Sequence, residues 1–169
     1  MTRDAAAAPG PTLDVARTAH PTLDVARTAH PVLDVARTAH PVLDVARISI
    51  AVRDYDEAIA FYTGALGFAL LEDEARGGGK RWVVVAPRRS GVGLLLAKAV
   101  TPEQQARVGD QTGGRVLLFL HTDDFDAAHA RMQAYGVRFV EEPRREPHGK
   151  VAIFLDLYGN RCELIEPAR

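Results

Sequence analysis

The sequence predicts an α+β fold: two βαβββ modules whose strands curl into one cupped mixed sheet with the helices outside. Three observations predict it. Each half opens on a run of alternating apolar residues, the mark of a half-buried strand. Each run leads into a helix pattern of equal span, from Asp54 to Gly67 and from Asp123 to Gly136, thirteen residues in both cases. Three further strand-like runs follow each helix. The matched spacing implies an internal duplication. One βαβββ half cannot close a sheet by itself, so two halves pair, and their concave face becomes a pocket.

In the first half, Ile48, Ile50 and Val52 alternate with Arg47, Ser49 and Ala51. Asp54 then supplies a helix cap, with Glu57 three residues on in a capping-box pattern. Ala58, Ile59, Phe61, Tyr62, Ala65 and Leu66 have helical spacing, and Gly67 ends the run. Strands are expected at 68–72, 81–86 and 92–97, with Gly77-Gly78-Gly79 as a hairpin loop. Thr101–Val108 reads as a short connecting helix capped by Thr101, with Pro102 at its first position. In the second half, Val116, Leu118 and Leu120 alternate with Leu117, Phe119 and His121. Asp123 is the expected cap, and Phe125, Ala128, Met132 and Tyr135 mark one helical face. Strands are expected at 137–141, 151–156 and 161–165, with Tyr158-Gly159-Asn160 as a turn.

Composition narrows the class of function. Of 169 residues, 47% are apolar and 25% charged, as in ordinary globular proteins. The 21 basic and 22 acidic residues nearly cancel, which argues against a broad basic field for nucleic acid. No apolar run approaches the roughly 20 residues that span a bilayer. The single cysteine, Cys162, allows no intrachain disulfide, and the first eleven residues lack the apolar stretch of a secretory signal. A cytoplasmic protein with neither membrane nor nucleic-acid partners is therefore expected. Residues 11–50 repeat with a period of ten, beginning at Pro11, Pro21, Pro31 and Pro41. A proline every ten residues interrupts a long helix. Residues 1–43 are thus expected to be a mobile extension, and residues 44–169 the domain, with modules at about 44–98 and 114–167. His20, His30 and His40 recur at a spacing that makes a poor preformed metal site. Deleting residues 1–40 should leave a folded domain with an unchanged Tm in a thermal melt.

The domain resembles the vicinal oxygen chelate superfamily, which includes glyoxalase I, extradiol dioxygenases and the fosfomycin- and bleomycin-resistance proteins. The resemblance rests on Val52-Arg53-Asp54 leading to Phe61-Tyr62 and Leu66-Gly67-Phe68. It rests also on Asp123 through Gly136-Val137-Arg138-Phe139, and on Asp156-Leu157-Tyr158-Gly159-Asn160 leading to Glu163-Leu164-Ile165. It implies the glyoxalase/bleomycin-resistance fold and a homodimer. In metal-dependent members, four strand positions ligate the ion. The resemblance places Arg47, Leu95, Leu117 and Glu163 at those positions. A guanidinium and two leucines offer no lone pair, so no metal and no cofactor is expected.

Arg47 and Glu163 are then expected to pair across the cup, either as an internal salt bridge or as an anion-binding pair. Ser49 shares the face of Arg47, and Leu95, Leu117 and Phe119 are expected to supply apolar walls. Trp82 could stack on a planar ligand or pack in the core. Arg115 reads either as a residue of the cup's rim or as a solvated strand end. His121 reads either as a general base or as a hydrogen-bonded surface residue. The segment 143–149 reads as a lid offering Arg144 and His148, or as a stiff solvated loop. Cys162 alternates against Glu163 and should face the helix layer, buried and inert. The leading expectation is a metal-free protein that binds a small organic molecule with a polar or anionic group. The rivals are a metal-dependent lyase or dioxygenase built on Glu163 with His121 or His148, and an interaction module whose cup is filled by side chains.

Overall fold

A computed structural model describes residues 43–169; the first three decapeptide repeats, and with them nearly all of the expected extension, lie outside the described residues. Strand β1 (Arg47–Val52) leads through helix α1 (Tyr55–Ala60) and a wide π turn (Phe61–Ala65) to β2 (Ala69–Gly77), β3 (Lys80–Ala86) and β4 (Gly93–Lys98). Helix α2 (Pro102–Gln105) connects to β5 (Val116–His121), α3 (Phe125–Ala134), β6 (Arg144–Glu146), β7 (Gly149–Leu155) and β8 (Arg161–Pro167). The two sheets have the same order, β1-β4-β3-β2 and β5-β8-β7-β6. In each, the first strand runs parallel to the last and the others are antiparallel. The duplication read from the sequence is therefore present strand for strand.

The capping chemistry explains where the helices start and stop. The Asp54 carboxylate accepts from the backbone N–H groups of Asp56 and Glu57, at 2.9 and 3.3 Å. Those bonds and Lys98 hold its pKa below the usual carboxylate range. In the second module the cap is Asp124, one residue past the expected Asp123, and it accepts from Ala127 N–H at 2.9 Å. The helix ends differ by the same residue. Val137 N–H reaches back to Met132 C=O, whereas Phe68 N–H reaches one residue further, to Tyr62 C=O. The π turn at Phe61–Ala65 absorbs the extra residue of the first module.

Two apolar clusters fill the space between sheets and helices. Ile50, Val52, Val83, Val85, Leu94 and Leu96 pack under Ala58 and Tyr62 in the first module. Ala152, Phe154, Cys162 and Leu164 pack with Phe125 and Met132 in the second. Phe61, Leu66, Leu118 and Leu120 touch both clusters, so the core runs continuously across the junction. Polar groups fasten the same junction. Tyr62 OH donates to Asp156 Oδ2 at 3.1 Å, and Tyr158 OH bonds both the N–H and the C=O of Asp54. The Gln111 side chain serves the open edge of β1, accepting from Ala51 N–H and donating to Ser49 C=O.

Two expected features are corrected. Residues 137–141 form no regular strand; they touch the sheet through a Phe139–Phe154 bridge and two backbone bonds. The fourth strand of that sheet is β6, which forms a hairpin with β7. The segment 143–149, read as a lid or as a stiff solvated loop, is thus largely a hairpin of the sheet: Arg144 pairs with Val151 and Glu146 with Gly149.

Candidate functional site

The strand registers divide the nine candidate residues between two sheets. Arg47 lies opposite Gly93 and Ser49 opposite Leu95, which in turn faces Val84 on β3. A Cβ on Gly93 would sit 2.8 Å from Val84 Cγ1 and 3.6 Å from Arg47 Cγ, so these three residues share one face. It is the face away from the helix core, the concave one. On the second sheet Phe119 lies beside Glu163, and Glu163 opposite Ile153; His121 lies beside Ile165.

Arg47 and Glu163 do not pair. The Arg47 guanidinium bonds Glu72 on β2, and Trp82 Nε1–H donates to the other oxygen of that carboxylate at 2.9 Å. Arg47 and Arg76 each lie 5.8 Å from the Trp82 ring centroid. Together these bonds hold the Glu72 pKa down. Glu163, only 8% exposed, instead faces Arg144 at 3.4 Å, and Arg144 also bonds Glu141 and Glu146. The expected single link across the cup is therefore two separate clusters, one per module. Leu117 also departs from its expected place: it packs against the core of the first module. A register irregularity between Val116 and Leu118 turns it out of the strand's alternation.

The chemistry of these positions does not fit a metal. Arg47 and the leucines at 95 and 117 carry no donor lone pair, and the Glu163 carboxylate is engaged by Arg144. Among the described residues no three His, Cys, Asp or Glu side chains converge. Cys162 is fully buried against the helix layer, and burial pushes its thiol up to about 12. Ellman's reagent should therefore fail to react with the native protein at pH 8 and react with one thiol after unfolding.

A cavity of about 580 Å³ opens at the junction of the modules. Leu66 and Phe68 line it from the first module, and Phe119, Leu120, Met132 and Leu164 from the second. Arg88, Arg89, Arg131, His121 and Asp123 stand at its margins. Arg131 is held by Gly64 C=O at 2.8 Å, and Arg89 meets Asp123 at 3.1 Å. Of the nine candidates, Phe119 and His121 line this cavity and Arg115 lines a second one. Phe119 is 62% exposed, a large aromatic surface beside an apolar hollow. Sequence reasoning missed Leu66, Arg88 and Arg89; nothing in an ordinary helix end and a polar hairpin loop distinguishes them.

Residues 44–164 match the family model described as the Glyoxalase/Bleomycin resistance protein/Dioxygenase superfamily. An uncharacterized protein of Shewanella frigidimarina is 52% identical over 121 residues, covering 70% of this chain and 90% of its own. The structure is similar to UcmS2, with a TM-score of 0.65 and 31% identity over 75% of this chain and 99% of that one. It is also similar to TnmS3, an antibiotic binding protein from Streptomyces sp. CB03234, with a TM-score of 0.62 and 34% identity. That match covers 76% of this chain and 99% of TnmS3.

Proposed function

Because the chain belongs to the Glyoxalase/Bleomycin resistance protein/Dioxygenase superfamily, we propose that it is a small-molecule-binding protein of that superfamily which acts without a bound metal. The observation that carries this reading is the apolar cavity of about 580 Å³ with exposed Phe119 on its wall. Its chemistry suits a molecule with a flat apolar body and an anionic group. The body would lie against Phe119, Leu66 and Met132, and the anion would meet Arg88 or Arg131 at the margin. The likeness to an antibiotic binding protein supports the same reading. The donor set at Arg47, Leu95, Leu117 and Glu163 supports binding rather than the lyase or dioxygenase chemistry of metal-dependent relatives. The reading includes a cytoplasmic homodimer. Leu70 and Leu71 lie exposed on the edge strand β2, a surface that a second copy could cover, and light scattering after size exclusion measures the mass.

The test uses 8-anilinonaphthalene-1-sulfonate, an aromatic anion whose emission rises in apolar surroundings, and bleomycin. Saturable binding of the sulfonate at one site per chain, weakened about tenfold in Phe119→Ala, is the expected result. Absence of saturation, or equal affinity in Phe119→Ala, would overturn the proposal. Bleomycin competing with the sulfonate would place antibiotics among the ligands. Metal content after exposure to Zn²⁺, Ni²⁺, Mn²⁺ and Fe²⁺ and desalting is expected to be far below stoichiometric. Near-stoichiometric retention that vanishes in Glu163→Ala would restore the metal-dependent reading.

A further inference from the structure

A second cavity, about 270 Å³, lies at the end of the second module, where β5 and β8 begin and β7 ends. It shares no residue with the larger cavity. Three arginines line it: Arg115 just before β5, Arg138 after α3, and Arg161 at the start of β8. Their backbones are fixed. Arg161 is paired with Val116 on one side and Leu155 on the other. Arg138 C=O accepts from Leu155 N–H at 2.9 Å, and Arg115 C=O accepts from the Thr112 hydroxyl. Val140 and Leu155 supply the apolar part of the wall.

The charges in this cavity are unbalanced. Arg47, Arg81 and Arg144, elsewhere in the chain, each meet one or more carboxylates. Among the described residues, Arg115, Arg138 and Arg161 form no ion pair. Among the described residues Asp110 is the one acidic residue in the lining, and its Oδ1 accepts from Gly114 N–H at 2.7 Å. Nearby Asp156 is occupied by the N–H groups of its own turn, the amide of Asn160 and the hydroxyl of Tyr62. Three exposed arginines line one small hollow, and one carboxylate does not offset their charge. A multiply charged oxyanion does, because each planar guanidinium offers a pair of N–H donors to adjacent oxygens. The volume, just below the usual range of ligand pockets, suits a small group.

We propose that Arg115, Arg138 and Arg161 form an oxyanion site for a phosphate group, either free or carried by a small organic molecule. The site is separate from the cavity lined by Phe119 and stands whether or not that cavity binds the sulfonate probe. Phosphorus-31 NMR and calorimetry with the full chain test it, using inorganic phosphate and phenyl phosphate at constant ionic strength. Saturable phosphate binding is expected, with acetate several-fold weaker. Arg161→Gln and Arg138→Gln should each weaken phosphate binding about tenfold. Arg145→Gln, an exposed arginine on β6 outside both cavities, should leave it unchanged. Thermal melts establish that the variants fold; neither substitution breaks an ion pair. Tighter binding of phenyl phosphate would identify an organic phosphate as the ligand, and equal binding the free ion. No saturable binding by either probe, or equal weakening in Arg145→Gln, would overturn the proposal.

Discussion

Asp156→Ala should destabilise the domain by about 3–5 kcal/mol, more than any substitution on the exposed faces of the sheets. Asp156 is 6% exposed and accepts five hydrogen bonds. One carboxylate oxygen collects the N–H groups of Tyr158, Gly159 and Asn160, each at 2.9 Å, which shapes the turn before β8. The other takes the Asn160 amide at 2.8 Å and the hydroxyl of Tyr62, a fully buried residue of the first module. Alanine leaves these donors without a partner in a site where water has little access. The turn would loosen, and with it the polar tie between the modules. Asp156→Asn keeps one acceptor oxygen but sets an amide N–H₂ against other donors, so its loss should be smaller yet clear. Tyr62→Phe removes one of the five bonds and should cost about 1 kcal/mol. In urea melts the double variant Asp156→Ala/Tyr62→Phe should lose less than the sum of the two, because the bond they share is counted once. Full additivity would mean that the Tyr62–Asp156 contact contributes nothing to stability.

What the sequence discloses and what it hides follow from one geometric rule. Alternation assigns a side chain to a face only while the register is unbroken. Ile50 and Val52 obey it, and so do Leu118, Leu120, Cys162 and Leu164, all on the helix side as expected. Glu72 and Leu117 do not. The bulge between Leu70 and Glu72 shifts the pairing, so that Leu70 faces Val85 and Glu72 faces Val84. Glu72 thereby joins the concave face, where Arg47 and Trp82 reach it. No pattern in the sequence marks that bulge, so no sequence argument finds the partner of Arg47. The irregularity at Val116/Leu118 hides the place of Leu117 in the same way. Strand β6 escapes notice for a different reason. Arg144-Arg145-Glu146 has no apolar alternation; backbone pairing to β7 and the carboxylates around Arg144 hold it in place.

The two modules are alike in backbone and unlike in chemistry. The first carries Arg47 paired with Glu72 and Arg76 paired with Glu74 around Trp82, two charges of each sign. The second buries one carboxylate, Glu163, beneath Arg144 and leaves three arginines together at its far end. The duplicated scaffold thus keeps its apolar core while its polar positions diverge. That divergence is why the core was legible from spacing and the sites were not: packing constrains residue type at every second position, whereas a polar cluster constrains only the sum of its charges.

Gly109→Ala should cost about 3–5 kcal/mol, although it adds a single methyl group. Two effects combine there. Gly109 has a φ of 89°, in the left-handed region that a Cβ disfavours by about 1–2 kcal/mol. A Cβ would also stand 2.1 Å from the carbonyl oxygen of Tyr158 and 3.0 Å from its carbon. That neighbour is backbone, and it belongs to the turn held by Asp156, so it cannot swing aside as a side chain would. Gly113 separates the two effects. Its φ of 61° is also left-handed, but a Cβ there would meet nothing within 4 Å. Gly113→Ala should therefore lose only about 1–2 kcal/mol. Thermal and urea melts of both variants measure the difference. If Gly113→Ala lost as much as Gly109→Ala, backbone conformation alone would account for both, and the approach of Gly109 to Tyr158 would carry no cost. If Gly109→Ala lost much more, the close approach of the α2–β5 connection to the Asp156 turn would rank with the Tyr62–Asp156 bond among the ties that fix the second cavity's walls.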